Sequence, residues 1–365
     1  MTGDEAGPSR LDADVRPVPG AGHPLRRATP PLRPEAPVDS ARPSRSALAR
    51  VVAALLALAV VGLLAFLVVA SIGAAGVNAP LAGRSFYVDP DSSAAVAAET
   101  TDDPAERHAA EVIAAQPAAV WLTPEEDPPG EVGEHVRRVM TAAGASSTVP
   151  VFVVYGMPGR DCGGQSAGGL SAEAYGPWVE EIASALGGRR AVVVVEPDSL
   201  ALADECGDAG RRTALIAEAV DGFARTVAFV YLDAGHSNWV DVGRMADLLE
   251  RAGVDRVRGF ATNVSNAQTT EAERTYARRI AEELGGAHAV IDVSRNGEGP
   301  PIDDAWCNAP GLALGADPAG VQDEVVDAEL WVKPPGESDG HCNGGPAAGE
   351  WWPEGAIALV RNAGQ

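Results

Sequence analysis

Lysine is all but absent from this chain of 365 residues: Lys333 is its single occurrence. Arginine carries the positive charge instead, and there is too little of it to balance 51 Asp and Glu. The formal net charge is −23. A chain without a basic stripe has no electrostatic footprint for nucleic acid, which excludes that class of partner. No glycine-rich dinucleotide fingerprint and no phosphate loop is present, so no nucleotide cofactor is implied. The four cysteines, Cys162, Cys206, Cys307 and Cys342, come without a CxxC or a His pair and make a poor metal set. Neither cofactor nor metal is expected. No internal repeat, Ser/Thr/Pro linker or second folded module stands out.

The composition is uneven along the chain. Residues 1–50 are rich in Pro, Arg, Ala and Asp and cannot bury enough apolar surface to fold, so a disordered tail is expected there. From Val51 to Ile72 every residue is apolar or small, long enough for a membrane-spanning helix over 51–72. Eight Arg precede that run, and the next basic residue is Arg84. The asymmetry places the tail in the cytoplasm and the rest outside the cell membrane. The alternative is a secreted protein released by signal cleavage near Val77-Asn78-Ala79. Against it stand the long tail, an apolar core longer than a usual signal core, and Pro80 just past the site. Eight Arg and six acids give the tail +2, which leaves −25 for the remainder. Residues 80–365 are then one large exported domain, where an even number of cysteines favours two disulfides in any of three pairings.

That domain alternates strand-like and helix-like runs. The strand-like runs are 85–88, 118–122, 149–155, 191–196, 228–232, 257–261, 289–293 and 328–332. Helical periodicity covers 105–115, 131–143, 172–186, 211–226, 241–252 and 271–284. Ser171 is placed to cap the third of these, and Gly187-Gly188 to stop it. Eight alternating units predict an α/β fold, a distorted (β/α) barrel of mostly parallel strands.

Polar residues collect where these strands end, which is where such folds keep their chemistry. Val192 to Val195 runs into Glu196-Pro197-Asp198; Val151 to Tyr155 leads to Arg160-Asp161-Cys162; Lys333 leads to Glu337 and Asp339. Hydrolysis of an acetal needs two carboxyl groups of different acidity, one to donate a proton and one to assist water. Desolvation at a buried strand end should raise the pKa of Asp198. Arg160, beside Asp161, should keep that acid ionised. Trp faces stack on sugar rings, while Asn, His and Lys hydrogen-bond hydroxyls. Glu196 reads as a brace, Asp89 as a turn residue, Trp178 as core and Trp331 as packing. Asp233 fits a brace or a sugar contact equally, and Trp351-Trp352 fits the cleft or the last helix.

The motifs in order resemble glycoside hydrolase family 6, the inverting β-1,4-glucanases. They are Phe86-Tyr87-Val88-Asp89-Pro90, Tyr155 with Pro158 and Arg160-Asp161-Cys162, and Glu196-Pro197-Asp198. Tyr231-Leu232-Asp233-Ala234-Gly235-His236, Ala261 to Asn266, Trp306-Cys307-Asn308 and Lys333 to Gly340 follow. The resemblance implies Asp198 as general acid, Asp161 as the carboxylate that tunes it and orders water, and Asp339 as candidate base. It implies Tyr155 beside a distorted sugar, with Arg160 supporting the Asp pair. Trp121, Trp239 and Trp306 are then stacking platforms, and His236, Asn263, Lys333 and Glu337 hydroxyl-binding residues. The implied disulfides are Cys162–Cys206 and Cys307–Cys342. The family's water-holding Ser falls at Ser166 or at Ala167. The expected substrate is a β-1,4-glucan, cut internally because the stretches after Asn308 and after Gly340 are too short to roof a tunnel. Chain-end attack and a non-catalytic, membrane-anchored glucan-binding protein are the competing expectations.

Overall fold

The computed structural model describes residues 45–301 and 305–365, and for 45, 47, 48 and 65–78 the backbone alone. The chain divides into two units, Met1–Leu64 and Ala65–Gln365. Most of the expected disordered tail lies outside the described residues. Its last six positions do not: helix α1 runs Arg45–Asn78 and takes them in. The apolar side chains from Val51 to Leu64 are exposed on that helix. Among the described residues no helix is long and apolar enough to cross a membrane, and the second part of the expected span, 65–72, has no described side chains.

The second unit is a curled sheet wrapped by helices. Strands β1 (Val120–Leu122), β2 (Val151–Val154), β3 (Val192–Val195), β4 (Phe229–Asp233), β5 (Gly259–Thr262) and β6 (His288–Asp292) run parallel in chain order. Next to β6 comes β8 (Val326–Leu330), also parallel, with the two-residue β7 (Ala319–Gly320) antiparallel at its edge. Between the strands lie α4 (Val132–Ser146), α5 (Ala172–Ala185), α6 (Ala209–Phe223), α7 (Val242–Arg251) and α8 (Thr270–Glu283). Ser171 caps α5 through its side chain, as its position foretold.

Period-two alternation splits each strand between two cores. Phe152, Val154, Val193 and Val195 pack outward against the helices, whereas Val151, Val153, Val192 and Val194 fill the barrel with Tyr231 and Val290. Valine suits both faces because its branched side chain fits a pleated surface that is buried on each side. The barrel's lower end is polar. Fully buried Asp327 accepts hydrogen bonds from Tyr231 Oη (2.7 Å) and from Arg258 (2.7 and 2.9 Å), with His288 Nδ1 at 3.3 Å.

Two expectations need correction. The run at 85–88 is not a full strand: Phe86 makes one bridge to Val149. The barrel consequently closes elsewhere, by one bridge between Ala118 and Trp331 at the seam of β1 and β8. Trp121 Nε1 donates to Val332 O across the same seam at 2.8 Å. One helix was not foreseen, α2 (Ser93–Thr100); the last helix, expected near Trp351-Trp352 without bounds, is α9 (Pro353–Asn362), and α3 (Pro104–Ala114) falls where periodicity put it.

Candidate active site

A cleft of about 1330 Å³ opens at the carboxyl ends of the strands. That exceeds the usual single-ligand pocket and suits an oligomer. Asp161, Asp198 and Asp339 all line it, with Trp121, Tyr155, Arg160, His236, Trp239, Trp306, Lys333 and Glu337. Asn263 does not. It is fully buried at φ 66°, with Nδ2 donating to Asp292 O and Gln268 O and Oδ1 accepting from Gln268 N. Its amide is spent on holding the turn after β5, so it is not the hydroxyl-binding residue expected.

Asp198 sits on a strained turn after β3. Glu196 (φ 54°) and Asp198 (φ 65°) both adopt the left-handed region, which non-glycine residues keep only where their surroundings impose it. The imposing contacts are on either side of Pro197. Fully buried Glu196 accepts from the backbone N–H of Gly156 (3.0 Å) and Met157 (2.9 Å), which makes it the brace foreseen. Asp198 N donates to Asp233 Oδ1 at 2.9 Å, so Asp233 braces too; its Oδ2 is buried with no partner among the described residues. Burial pushes Asp198 up to about 7, and the charges of Asp161 and Asp339 add to the rise. At neutral pH this carboxyl holds a proton much of the time.

Asp161 stands in the opposite setting, at φ 56° on the loop after β2. Its Oδ2 accepts from Ser166 N (2.8 Å) and Ser166 Oγ (3.1 Å), and that hydroxyl also meets Tyr155 Oη at 2.8 Å. The hydroxyl beside Asp161 therefore belongs to Ser166, not to the neighbouring Ala167. Arg160 does not pair with Asp161 as expected. Its guanidinium meets Glu125 at 3.2 Å, donates to Tyr155 O and Ser166 O (both 2.7 Å), and lies 4.5 Å over the Tyr155 ring. Arg160 thus pins the loop and the aromatic rather than the acid.

Asp339 is the third carboxylate. Arg295 Nη1 grips both its oxygens (3.0 and 2.9 Å), and Asn308 N donates to Oδ2 at 2.9 Å. Burial works against its ionised form, yet the charges of Arg295 and Lys333 outweigh it and hold the carboxyl below its ordinary value. Arg295 stood at a strand end in the sequence without a role. Nothing local could have given it one, because its partner lies 44 residues on.

The residues expected to bind sugar lie around these acids. Trp121 stacks edge-on to Tyr155, with centroids 5.2 Å apart. Lys333 Nζ lies 5.7 Å from the Trp121 centroid and 3.7 Å from Glu337 Oε2, and Ser93 Oγ donates to Glu337 Oε1. Trp239 and Trp306 are 37% and 57% exposed, unusual for Trp away from an interface and fitting for platforms. His236 leans on Trp239 at 5.4 Å. Trp178 and Trp331 are core, and Trp351-Trp352 are not among the cleft residues: Trp352 directly precedes α9, and Trp351 Nε1 donates to Glu106 of α3. Both implied disulfides are present, Cys162–Cys206 and Cys307–Cys342. Each braces a loop beside a cleft carboxylate.

A carboxyl raised by desolvation and by two neighbouring carboxylates, flanked by exposed indoles at the open end of a parallel barrel, is the equipment of a glycoside hydrolase. Within that class the chain belongs to the glycosyl hydrolases family 6, whose family profile matches residues 81–363. It is 42% identical over 291 residues to Endoglucanase A of Cellulomonas fimi, covering 78% of this chain and 62% of that protein. Against the 1,4-beta-D-glucan cellobiohydrolase CEL6B of Podospora anserina identity falls to 32% over 283 residues, covering 62% of this chain and 67% of that one. Among solved structures, the endoglucanase Cel6 from Mycobacterium tuberculosis in complex with methyl-cellobiosyl-4-deoxy-4-thio-β-D-cellobioside is 45% identical. It superposes with a TM-score of 0.75 over 79% of this chain and 100% of that one. The chain spans 62% of the length of Endoglucanase A from Cellulomonas fimi and from Thermobispora bispora.

Proposed function

We propose that this protein hydrolyses β-1,4-glucosidic bonds within cellulose-type glucans, with inversion at the anomeric carbon. The observation that carries the reading is the placement of Asp198 in the cleft with Asp161 and Asp339, both held by hydrogen-bond donors, a setting that pushes Asp198 up to about 7. Protonated Asp198 gives its proton to the leaving glycosidic oxygen. Water attacks the opposite face, ordered by Asp161 with Ser166, and Asp339 as base takes up the proton that the water loses. Tyr155 and Trp121 form the wall beside the reacting sugar, and Trp239, Trp306, His236, Lys333 and Glu337 hold the sugars around it. Internal cleavage is supported by the exposed Trp239 and Trp306 and by the higher identity to proteins named endoglucanases than to those named cellobiohydrolases. The test is proton NMR of a soluble β-1,4-glucan digest, read with viscosity. An α-anomer as first product and a viscosity fall for few new reducing ends are expected. A β-anomer overturns inversion, and cellobiose release without viscosity loss overturns internal attack.

We also propose that the apolar run at 51–72 anchors the enzyme, with the Arg-rich segment in the cytoplasm and the barrel outside. The exposed apolar side chains from Val51 to Leu64 and the charge asymmetry around them support this. Retention of the full chain in membranes after alkaline carbonate washing is the expected result; release into the wash overturns it.

A further inference from the structure

The loop that carries Asp161 meets the loop that carries Asp339 through one side chain. Gln165 Oε1 accepts a hydrogen bond from the backbone N–H of His341 at 2.9 Å. The same side chain crosses Gly340 closely. A Cβ at Gly340 would stand 2.6 Å from Gln165 Cβ and 2.7 Å from Gln165 Oε1, at a φ of +142°. Glycine alone allows both that backbone angle and that approach. Gln165, Ser166, Asp161, Ser338 and Asp339 all line the cleft, so the crossing joins two of its walls.

Elsewhere both loops are held firmly. Cys162–Cys206 ties the first to the segment that follows Asp198. Cys307–Cys342 ties the second to the segment of Asn308, which exchanges two hydrogen bonds with Asp339. No covalent link sets the separation between the first loop's tip and the second. Gly163, Gly164, Gly168 and Gly169 around Gln165 and Ser166 add no stiffness, and Arg160, which holds the tip from its own side through Ser166 O and Gly168, does not tie it to the second loop. Yet this tip presents the Ser166 N–H and hydroxyl to Asp161.

We propose that Gln165 is a positioning residue, a clasp that joins the Asp161 loop to the Asp339 loop and so sets where Ser166 and Asp161 stand relative to Asp198. This rests on the reading of Asp198 as the general acid. Gln165 itself touches no reacting atom; it acts through the loop. One exposed hydrogen bond contributes modestly, so its effect is on where the loop stands, not on whether the domain folds. The electrostatic consequence follows from the charges already described. Asp161 raises the pKa of Asp198 by proximity, and a loosened tip lets it withdraw.

Two variants of the full chain separate the clasp from general loop structure. Gln165→Met keeps length and packing over Gly340 but cannot accept; Gln165→Glu keeps an acceptor. Hydrogen exchange without ligand reads the contact directly. In Q165M the His341 amide and the amides of 163–169 should exchange about two- to tenfold faster than in the wild type, and in Q165E at close to the wild-type rate. On soluble β-1,4-glucan, kcat of Q165M should fall about two- to tenfold with KM little changed. The alkaline limb of its kcat/KM profile should move to lower pH by about half a unit. Unchanged exchange in Q165M overturns the clasp. Faster exchange with unaltered kcat and pH profile overturns its positioning role. A wild-type protein inert on the glucan overturns the functional reading instead, and the exchange arm still decides the clasp.

Discussion

Asp198 and Asp339 line one cleft and hold their protons in opposite ways. Asp198 is half-buried at a strand end, and desolvation together with the charges of Asp161 and Asp339 pushes its carboxyl up to about 7. Asp339 is as well hidden, but Arg295 grips both its oxygens and Lys333 adds charge, so it stays ionised below the ordinary carboxylate range. The residue type is the same and desolvation raises both. The difference lies in the neighbouring charges: Arg295, delivered just past β6, and Lys333 act on Asp339, whereas two carboxylates act on Asp198. In the mechanism proposed above, the division of labour between acid and base then follows from which strand ends carry the cations.

The comparison breaks most sharply at Asp198. Asp198→Asn removes the proton donor and should lower kcat on soluble β-1,4-glucan by about 10²–10⁴, while calorimetric binding of a cello-oligosaccharide stays near the wild-type value. Retained turnover would take the acid role from Asp198. The second break is on the other side. Arg295→Met leaves Asp339 buried without its cation, which should cost about 3–5 kcal/mol of stability in a denaturant titration. A variant as stable as the wild type would mean that the pair contributes little to folding.

The pH dependence of stability sharpens the contrast. The folded-state value of Asp198 lies above its unfolded value of about 3.9. Across roughly pH 4 to 7 the native state keeps a proton the unfolded chain releases, so its contribution to stability declines as pH rises. Asp339 does the reverse: its contribution is full above its unfolded value and is lost as pH falls through its lowered folded value. Asp198→Asn should accordingly melt higher than the wild type at about pH 7.5, by a few degrees, and alike at about pH 4. Equal melting points at both pH values would show that burial does not hold a proton on Asp198. The smallest effect is expected at Ser166→Ala, which removes the hydroxyl between Asp161 and Tyr155. It should lower kcat about two- to tenfold and leave the thermal midpoint unchanged. A loss as large as that of Asp198→Asn would move Ser166 to the centre of the chemistry.

Much of the barrel was legible because burial writes a simple code. Runs such as Val192 to Val195 have no polar residue to expose, so they must be central strands. The Glu196-Pro197-Asp198 turn at the end of such a run pointed to Asp198, and the structure places that residue in the cleft. What escaped was long-range or geometric. Arg295 with Asp339, and Arg160 with Glu125, are pairs whose partners are set by the folded chain, and sequence adjacency pointed Arg160 at the wrong acid. Asn263 has the right residue type beside the right motif, but its left-handed backbone turns the amide inward. The run at 85–88 has strand composition, yet only Phe86 finds a neighbour. Helix α9 did carry a signal, Pro353 at its first turn.

The lone lysine has a practical consequence. Lys333 is buried beneath Trp121 with its amine toward Glu337 and Ser338. An acylating reagent therefore finds one side-chain amine in the whole protein, and it lies inside the cleft. A single mass increment on Lys333 becomes a count of empty sites, and the slowing of that increment by a bound saccharide becomes a footprint that needs no engineered reporter.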